Sequence, residues 1–284
     1  MPLVTTADLV ARAQSAGHGV AAFNVITLEH AEAIAAGAER AGTPAILQIS
    51  ENAVRYHGGA LRPLAAATVA VAEGSGADLS IHLDHVESVD LLHETADAGL
   101  SSVMFDASHL EYADNVAATR AAADWAHDRG LYLEAELGKV GGKDGAHAPG
   151  VRTDPGEAQA FVAATGVDTL AVAVGSSHAM TDRTSALDLD LVAALAEALP
   201  VPLVLHGSSG VPDDQLRAAV GAGMVKINIG TILNVAFTGA VRATLAEDER
   251  LVDPRRYLRP AREALADVVA QLAALVGLAG GDPS

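Results

Sequence analysis

Strand-like and helix-like segments alternate along this chain almost without interruption, and that alternation most constrains its fold. Short apolar runs recur at Gly19–Val25, Ala45–Ser50, Leu79–Asp84, Ser101–Asp106, Leu131–Leu137, Thr169–Gly175, Pro202–Gly207 and Met224–Gly230. Helical patterns follow them at Thr27–Ala41, Leu61–Glu73, Ser88–Ala98, Ala113–Arg129, Gly156–Thr165, Asp190–Ala198, Pro212–Ala222 and from Thr231 to about Glu247. Eight strand–helix pairs within about 230 residues predict an α/β fold, a (β/α)8 TIM barrel. An additional C-terminal helix is expected over Pro260–Leu275, within a single domain spanning residues 1–284. A doubly wound parallel sheet is the competing arrangement, but it rarely needs eight consecutive units.

Composition narrows the partners. The net charge is −18 and no basic run occurs, which argues against nucleic acid or an anionic membrane. Any anionic ligand must therefore be held by local donors. Cysteine is absent, which removes disulfides, thiolate metal sites and a cysteine nucleophile. The N-terminal residues lack the basic and apolar regions of a signal peptide, and no apolar stretch is long enough to span a bilayer. A cytoplasmic location is expected.

The strand ends carry the chemistry. In a barrel of this kind the C-terminal strand ends form the functional face. Asp84-His85 closes the third strand, His178 follows the sixth and His206 closes the seventh. A lone strand-end histidine is usually structural, but three joined by an aspartate point to a metal-assisted site. Glu134 and Glu136 are two apart, so they share one side of their strand, either the lumen or the helix layer; the lumen is favoured. Asp106 fits either a site residue or a helix N-cap. His82 lies inside its strand and reads as structural or supporting, and His109 as supporting or structural. His18, His30, His57, His93 and His127 read as surface or loop residues.

A second constellation suits an anion. Gly207-Ser208-Ser209-Gly210 follows the seventh strand, and Asn228-Ile229-Gly230-Thr231 closes the eighth and opens a helix. Small residues and a helix N-terminus present backbone N–H groups to a phosphate. Gly138–Asp154, with five glycines and little periodicity, reads as a mobile active-site loop or a solvated excursion.

Ordered segments across the chain resemble the class II, zinc-dependent ketose-bisphosphate aldolases (fructose- and tagatose-bisphosphate aldolases). They are His82–His85, Val103–His109, Glu134–Gly138, Ala171–His178, Leu203–Gly210 and Lys226–Thr231, within a span from Phe23-Asn24 to Arg259. The resemblance implies Zn2+ bound by His85, His178 and His206, with Asp84 as the base and Asp106 and Glu136 at a second or alternate cation position. It implies that Asn24 and Ser50 contact substrate. Gly142, Gly207, Ser209, Asn228, Gly230 and Thr231 would hold one phosphate, with a monovalent cation (Na+ or K+) nearby, and Arg259 would reach the other. The loop acid of the family falls on Asp144, in Gly141-Gly142-Lys143-Asp144-Gly145, where the family usually has glutamate, one carbon longer. The segment after His178 also departs from the family pattern, and Arg183 is a candidate replacement cation.

The implied reaction is reversible cleavage of a ketose 1,6-bisphosphate to dihydroxyacetone phosphate and glyceraldehyde 3-phosphate. Such a reaction needs a base for the C4 hydroxyl and an electron sink at the C2 carbonyl, which a Lewis acid provides. A Schiff-base route would need a lumen lysine, and Lys226 alone lies on a strand. The alternatives are an aldolase for another phosphorylated ketose, such as 6-phospho-5-dehydro-2-deoxy-gluconate, and a non-catalytic barrel subunit. A metal hydrolase is disfavoured, because Phe23-Asn24-Val25 stands where such barrels often carry His-x-His. The resemblance also implies a homodimer or homotetramer.

Overall fold

A computed structural model describes residues 3–137, 152–176 and 183–277. The chain begins with helix α1 (Thr6–Ala16), whose N-cap Thr5 accepts the Asp8 N–H. There follow β1 (Val20–Asn24), α2 (Leu28–Ala41), β2 (Ala45–Ser50), α3 (Glu51–Tyr56), α4 (Leu61–Gly74), β3 (Leu79–Val86) and α5 (Val89–Glu94). Next come β4 (Ser102–Phe105), α6 (Tyr112–His127), β5 (Tyr132–Glu136), α7 (Pro155–Thr165), β6 (Thr169–Ala171) and α8 (Leu189–Ala198). The chain continues through β7 (Leu203–Leu205), α9 (Asp213–Gly221), β8 (Met224–Ile229), α10 (Thr231–Glu247) and α11 (Pro254–Gly277). All eight strands are parallel, and β8 pairs with β1 to close the barrel.

The main core lies between the strands and the helix ring. Phe23, Leu47, Leu83, Leu133 and Ile227 point outward into it and are almost completely buried. Their neighbours at alternate positions face the lumen. Leu9, Val10 and Ala13 of α1 pack on Val20, Ala22 and Ile46, so α1 stoppers the N-terminal end of the barrel. Above this plug, Met104, Ala171 and Val204 form a small apolar layer. The open end is therefore the C-terminal one.

Several details differ from the sequence expectation. The sixth and seventh strands are only three residues long, and beyond β7 the chain turns at Gly207 into a short helical turn. Helices α1 and α3 were not expected. Helix α11 starts six residues before Pro260, with Asp253 accepting the Arg255 N–H just ahead of Pro254. Pro260 lies within it, where a missing N–H is tolerated without ending the helix. His30, expected at the surface, is instead buried on α2 and stacks on Phe237 of α10 with ring centroids 5.1 Å apart. Contact with Phe237, on a helix far along the chain, is what the local sequence could not signal. No helix among the described residues is long and apolar enough to cross a membrane.

Candidate active site

Strand β3 delivers His82 and Asp84 to the lumen by its two-residue period. The same period brings in Glu134 and Glu136 from β5 and Lys226 and Asn228 from β8. Strands β5 and β8 are not neighbours in the ring, so a contact between them must cross the lumen. The Lys226 ammonium donates to Glu134 Oε2 at 2.7 Å, and both side chains are sealed from water. This contact settles the lumen reading for Glu134. Such a pair costs desolvation and persists because each charge is paired.

Glu134 also reaches upward. Its Oε1 lies 2.8 Å from Nε2 of His206, whose Nδ1 faces His85 Nε2 at 3.0 Å. The two rings meet edge to face with centroids 4.7 Å apart. Asn228 Nδ2 donates to Asp84 Oδ1 at 3.3 Å and lies 3.2 Å from His206 Nε2. Lower down, His82 Nδ1 meets Ser102 Oγ at 2.8 Å, while its Nε2 has no hydrogen-bond partner among the described residues and lies 3.9 Å from Asp84. His82 thus sits beneath the site as a supporting residue.

His85 occupies the rim. Its φ of +50° makes it the left-handed non-glycine residue of the described chain. For a residue with a Cβ that conformation costs about 1–2 kcal/mol. A register shift between Leu83 and Val86 accompanies it. His85 Nδ1 lies 2.9 Å from Asp106 Oδ2, and Asp106 Oδ1 accepts the N–H and hydroxyl of Ser108. Asp106 therefore orients His85 and closes a local turn, while the N-cap of α6 is Glu111.

The electrostatics of this rim favour a cation. Burial alone would depress the His85 pKa, but Asp84, the hydrogen bond with Asp106 and the charge of Glu136 outweigh it and raise it to about 10. Burial raises the Asp84 carboxyl. Burial also works against ionised Asp106, but its bond to His85 pulls it well below the usual range. His82 is pushed well down, by burial first and then by Lys226.

Among the described residues, two donor groups are close enough to share an ion: Asp84, His85 and His206, and His85, Asp106 and Glu136. Two imidazole nitrogens face each other across 3.0 Å, beside several carboxylates. That nitrogen–oxygen donor set without thiolate fits zinc or another borderline divalent metal.

The other side of the opening is built from β7 and β8. Gly207 has φ +66° and turns the chain into a short helical turn at Ser208–Gly210. Ser209 Oγ accepts the Ile232 N–H, which ties this turn to the start of α10. Gly230 precedes α10, where a Cβ would stand 2.7 Å from Asn24 Nδ2. A side chain there would have to displace Asn24. Asn24 in turn accepts from Gln48 Nε2 at 2.5 Å.

These two sides enclose one cavity of about 440 Å3 at the C-terminal end. Asn24, Ser50, Asp84, His85, Asp106, Gly207, Ser209, Asn228, Gly230 and Thr231 all line it. His206 and Glu136 lie buried beside it within the donor groups described above. Arg259 lies elsewhere: it lines a separate cleft with Arg256, Arg262 and the α2 acids Glu29 and Glu32. Arg183 is committed to the Val211 carbonyl and Asp213. His109 is exposed. His178, Gly142 and Asp144 lie outside the described residues.

Sequence reasoning passed over Gln48, Glu51, Asn52, Arg55 and Asn234, which also line the cavity. Gln48 had a usable signal, since it lies two before Ser50 and so shares its face. The others sit on helical turns whose orientation depends on packing.

Comparisons with known proteins agree with this fold. The profile of the family described as Fructose-bisphosphate aldolase class-II matches residues 4–281. A protein of Staphylococcus epidermidis named fructose-bisphosphate aldolase is 40% identical over 277 residues, covering 95% of each chain. The solved YdjI aldolase of Escherichia coli K12 is 29% identical with a TM-score of 0.81, covering 97% of both chains. The fructose-bisphosphate aldolase structure from Campylobacter jejuni superposes with a TM-score of 0.83 at 20% identity, covering 97% of this chain and 95% of that one, which bears on the fold.

Proposed function

The chain belongs to the class II fructose-bisphosphate aldolase family and is an aldolase, a carbon–carbon lyase acting on phosphorylated sugars, and from that premise we propose that it reversibly cleaves fructose 1,6-bisphosphate with zinc held by His85, His206 and His178. Tagatose 1,6-bisphosphate, the C4 epimer, is the second candidate substrate. The observation that carries the reading is the convergence of Asp84, His85, His206 and the β7–β8 turns on one cavity. The name of the Staphylococcus epidermidis relative supports the choice of fructose.

In this reading Asp84 takes the C4 hydroxyl proton. Burial suits it to that task, because a raised carboxyl pKa makes a stronger base. Asn228 donates to Asp84 Oδ1 and leaves the other oxygen to the substrate. When bound, zinc supplies a Lewis acid for the C2 carbonyl. Backbone N–H groups at Gly207–Ser209 and Gly230–Thr231 hold the near phosphate without a formal charge. Asn24 and Ser50 orient the sugar hydroxyls, and Asp144 serves as the loop acid. Asp106 and Glu136 flank a second cation position, and a monovalent cation accompanies the phosphate. Arg259 reaches the distal phosphate from a cleft outside the cavity, in keeping with a homodimer or homotetramer.

Assaying fructose and tagatose bisphosphates beside a singly phosphorylated ketose, with and without chelator, tests this reading. Chelator-sensitive release of triose phosphates from fructose 1,6-bisphosphate is expected. Cleavage of the singly phosphorylated ketose alone would move the reading to that substrate class, and chelator-insensitive cleavage would remove zinc.

A further inference from the structure

The left-handed His85 needs a restraint, because an L-residue relaxes from that conformation wherever its neighbours permit. The β2–β3 ladder ends at the pair Ser50 and Asp84. Beyond it β2 turns into α3, and β3 loses the carbonyl acceptors it had on that side. Glu51, the first residue of α3, fills the gap. Its Oε2 accepts the N–H of Glu87 at 2.7 Å and of Ser88 at 3.3 Å, and its Oε1 accepts from Arg55 at 2.5 Å. From the opposite side, the Val86 carbonyl accepts the Asp106 N–H at 2.8 Å. The segment just after His85 is gripped on both flanks.

An acid in a first helical turn is ordinarily explained by the helix dipole and stays in water. Glu51 is only 7% exposed, and charge-assisted bonds to backbone donors just beyond the end of β3 occupy its carboxylate. Relaxing His85 to negative φ would swing the two N–H groups away from Glu51. We infer that Glu51 is a positioning residue, a clamp that holds His85 in its left-handed conformation with its imidazole aimed at His206 and the metal position. Its bonds substitute for a missing strand, and through them α3 sets the geometry of His85.

The inference rests on the zinc-dependent reading, and the test separates the two. Zinc affinity of the metal-free protein is measured by competition with a chromogenic chelator, and the cobalt-loaded protein gives a ligand-field spectrum. Melting of each metal-free variant checks its fold. Glu51→Ala is expected to weaken zinc binding about 10- to 100-fold and to alter the cobalt spectrum, as loss of outer partners does at metal sites. Glu51→Gln keeps an acceptor oxygen in place and is expected to retain most of the affinity and the native spectrum. Glu51→Asp keeps the charge but is one carbon short, so it is expected to behave like the alanine variant; it serves where the alanine variant does not fold. Wild-type affinity and spectrum in Glu51→Asp or Glu51→Ala would overturn the clamp. Failure of the wild-type protein itself to bind zinc would overturn the underlying metal reading.

Discussion

Around β3 to β5 the cavity is built from full charges, whereas around β7 and β8 it is built from neutral backbone and hydroxyl groups. The charged side gathers Asp84, Asp106 and Glu136 about one imidazole, and this excess of carboxylate raises His85 to about 10. The neutral side offers Gly207, Ser209, Gly230 and the start of α10. On the proposed reading, this contrast is how a chain of net charge −18 would hold a phosphorylated substrate. Its acids are concentrated where a cation can neutralise them, and the anion meets dipoles that carry no competing counter-ion.

The largest expected effect comes from the charged side. Asp84→Asn preserves shape but removes the base, so kcat is expected to fall about 10²- to 10⁴-fold. Steady-state kinetics check this, with KM changing far less. The Lys226→Met variant breaks the support beneath that side by leaving Glu134 buried without its cation. A loss of about 3–5 kcal/mol in unfolding free energy is expected by denaturant titration. Adding Glu134→Gln to that variant is expected to recover part of the loss, since the uncompensated charge is gone.

On the neutral side the expected effects are smaller and fall on binding. Gly230→Ala places a Cβ 2.7 Å from Asn24 Nδ2 and forces the turn or Asn24 to move. The cost of about 1–3 kcal/mol corresponds to roughly a 10- to 100-fold rise in KM. Zinc affinity is expected to stay unchanged, and a parallel fall would break the separation between the two sides. The smallest effect tests the packing behind them. Burial holds the His30 pKa below its usual 6.5. Below about pH 6.5 the unfolded chain therefore binds a proton that the folded chain refuses, so stability falls as pH drops, by at most about 1.4 kcal/mol per pH unit. His30→Gln is expected to flatten the melting-temperature profile between pH 7 and 5.

These two sides were unequally legible in the sequence. The alternation of segments gave all eight strands because each must show one apolar face to the helix ring. The two-residue period put Glu134 and Glu136 on one side of their strand, and their charge favoured the lumen over the helix layer. Backbone conformation did not follow: nothing in Leu83-Asp84-His85-Val86 announces a positive φ, since histidine lacks the glycine signal. Glu51 read locally as an ordinary first-turn acid, and only the end of the β2–β3 ladder gives it another task. His30 and Arg259 were placed by helices packing across the fold, which local pattern does not encode. Strands β6 and β7 are shorter than expected because their apolar character continues after the regular ladder ends.

The central claim is that the charged side exists to hold a metal on which cleavage depends. The direct measurement follows fructose 1,6-bisphosphate cleavage and bound zinc together while a chelator strips the protein. Activity falling in proportion to bound zinc, and returning on its readdition, is the predicted result. Undiminished cleavage by fully metal-free protein would contradict it.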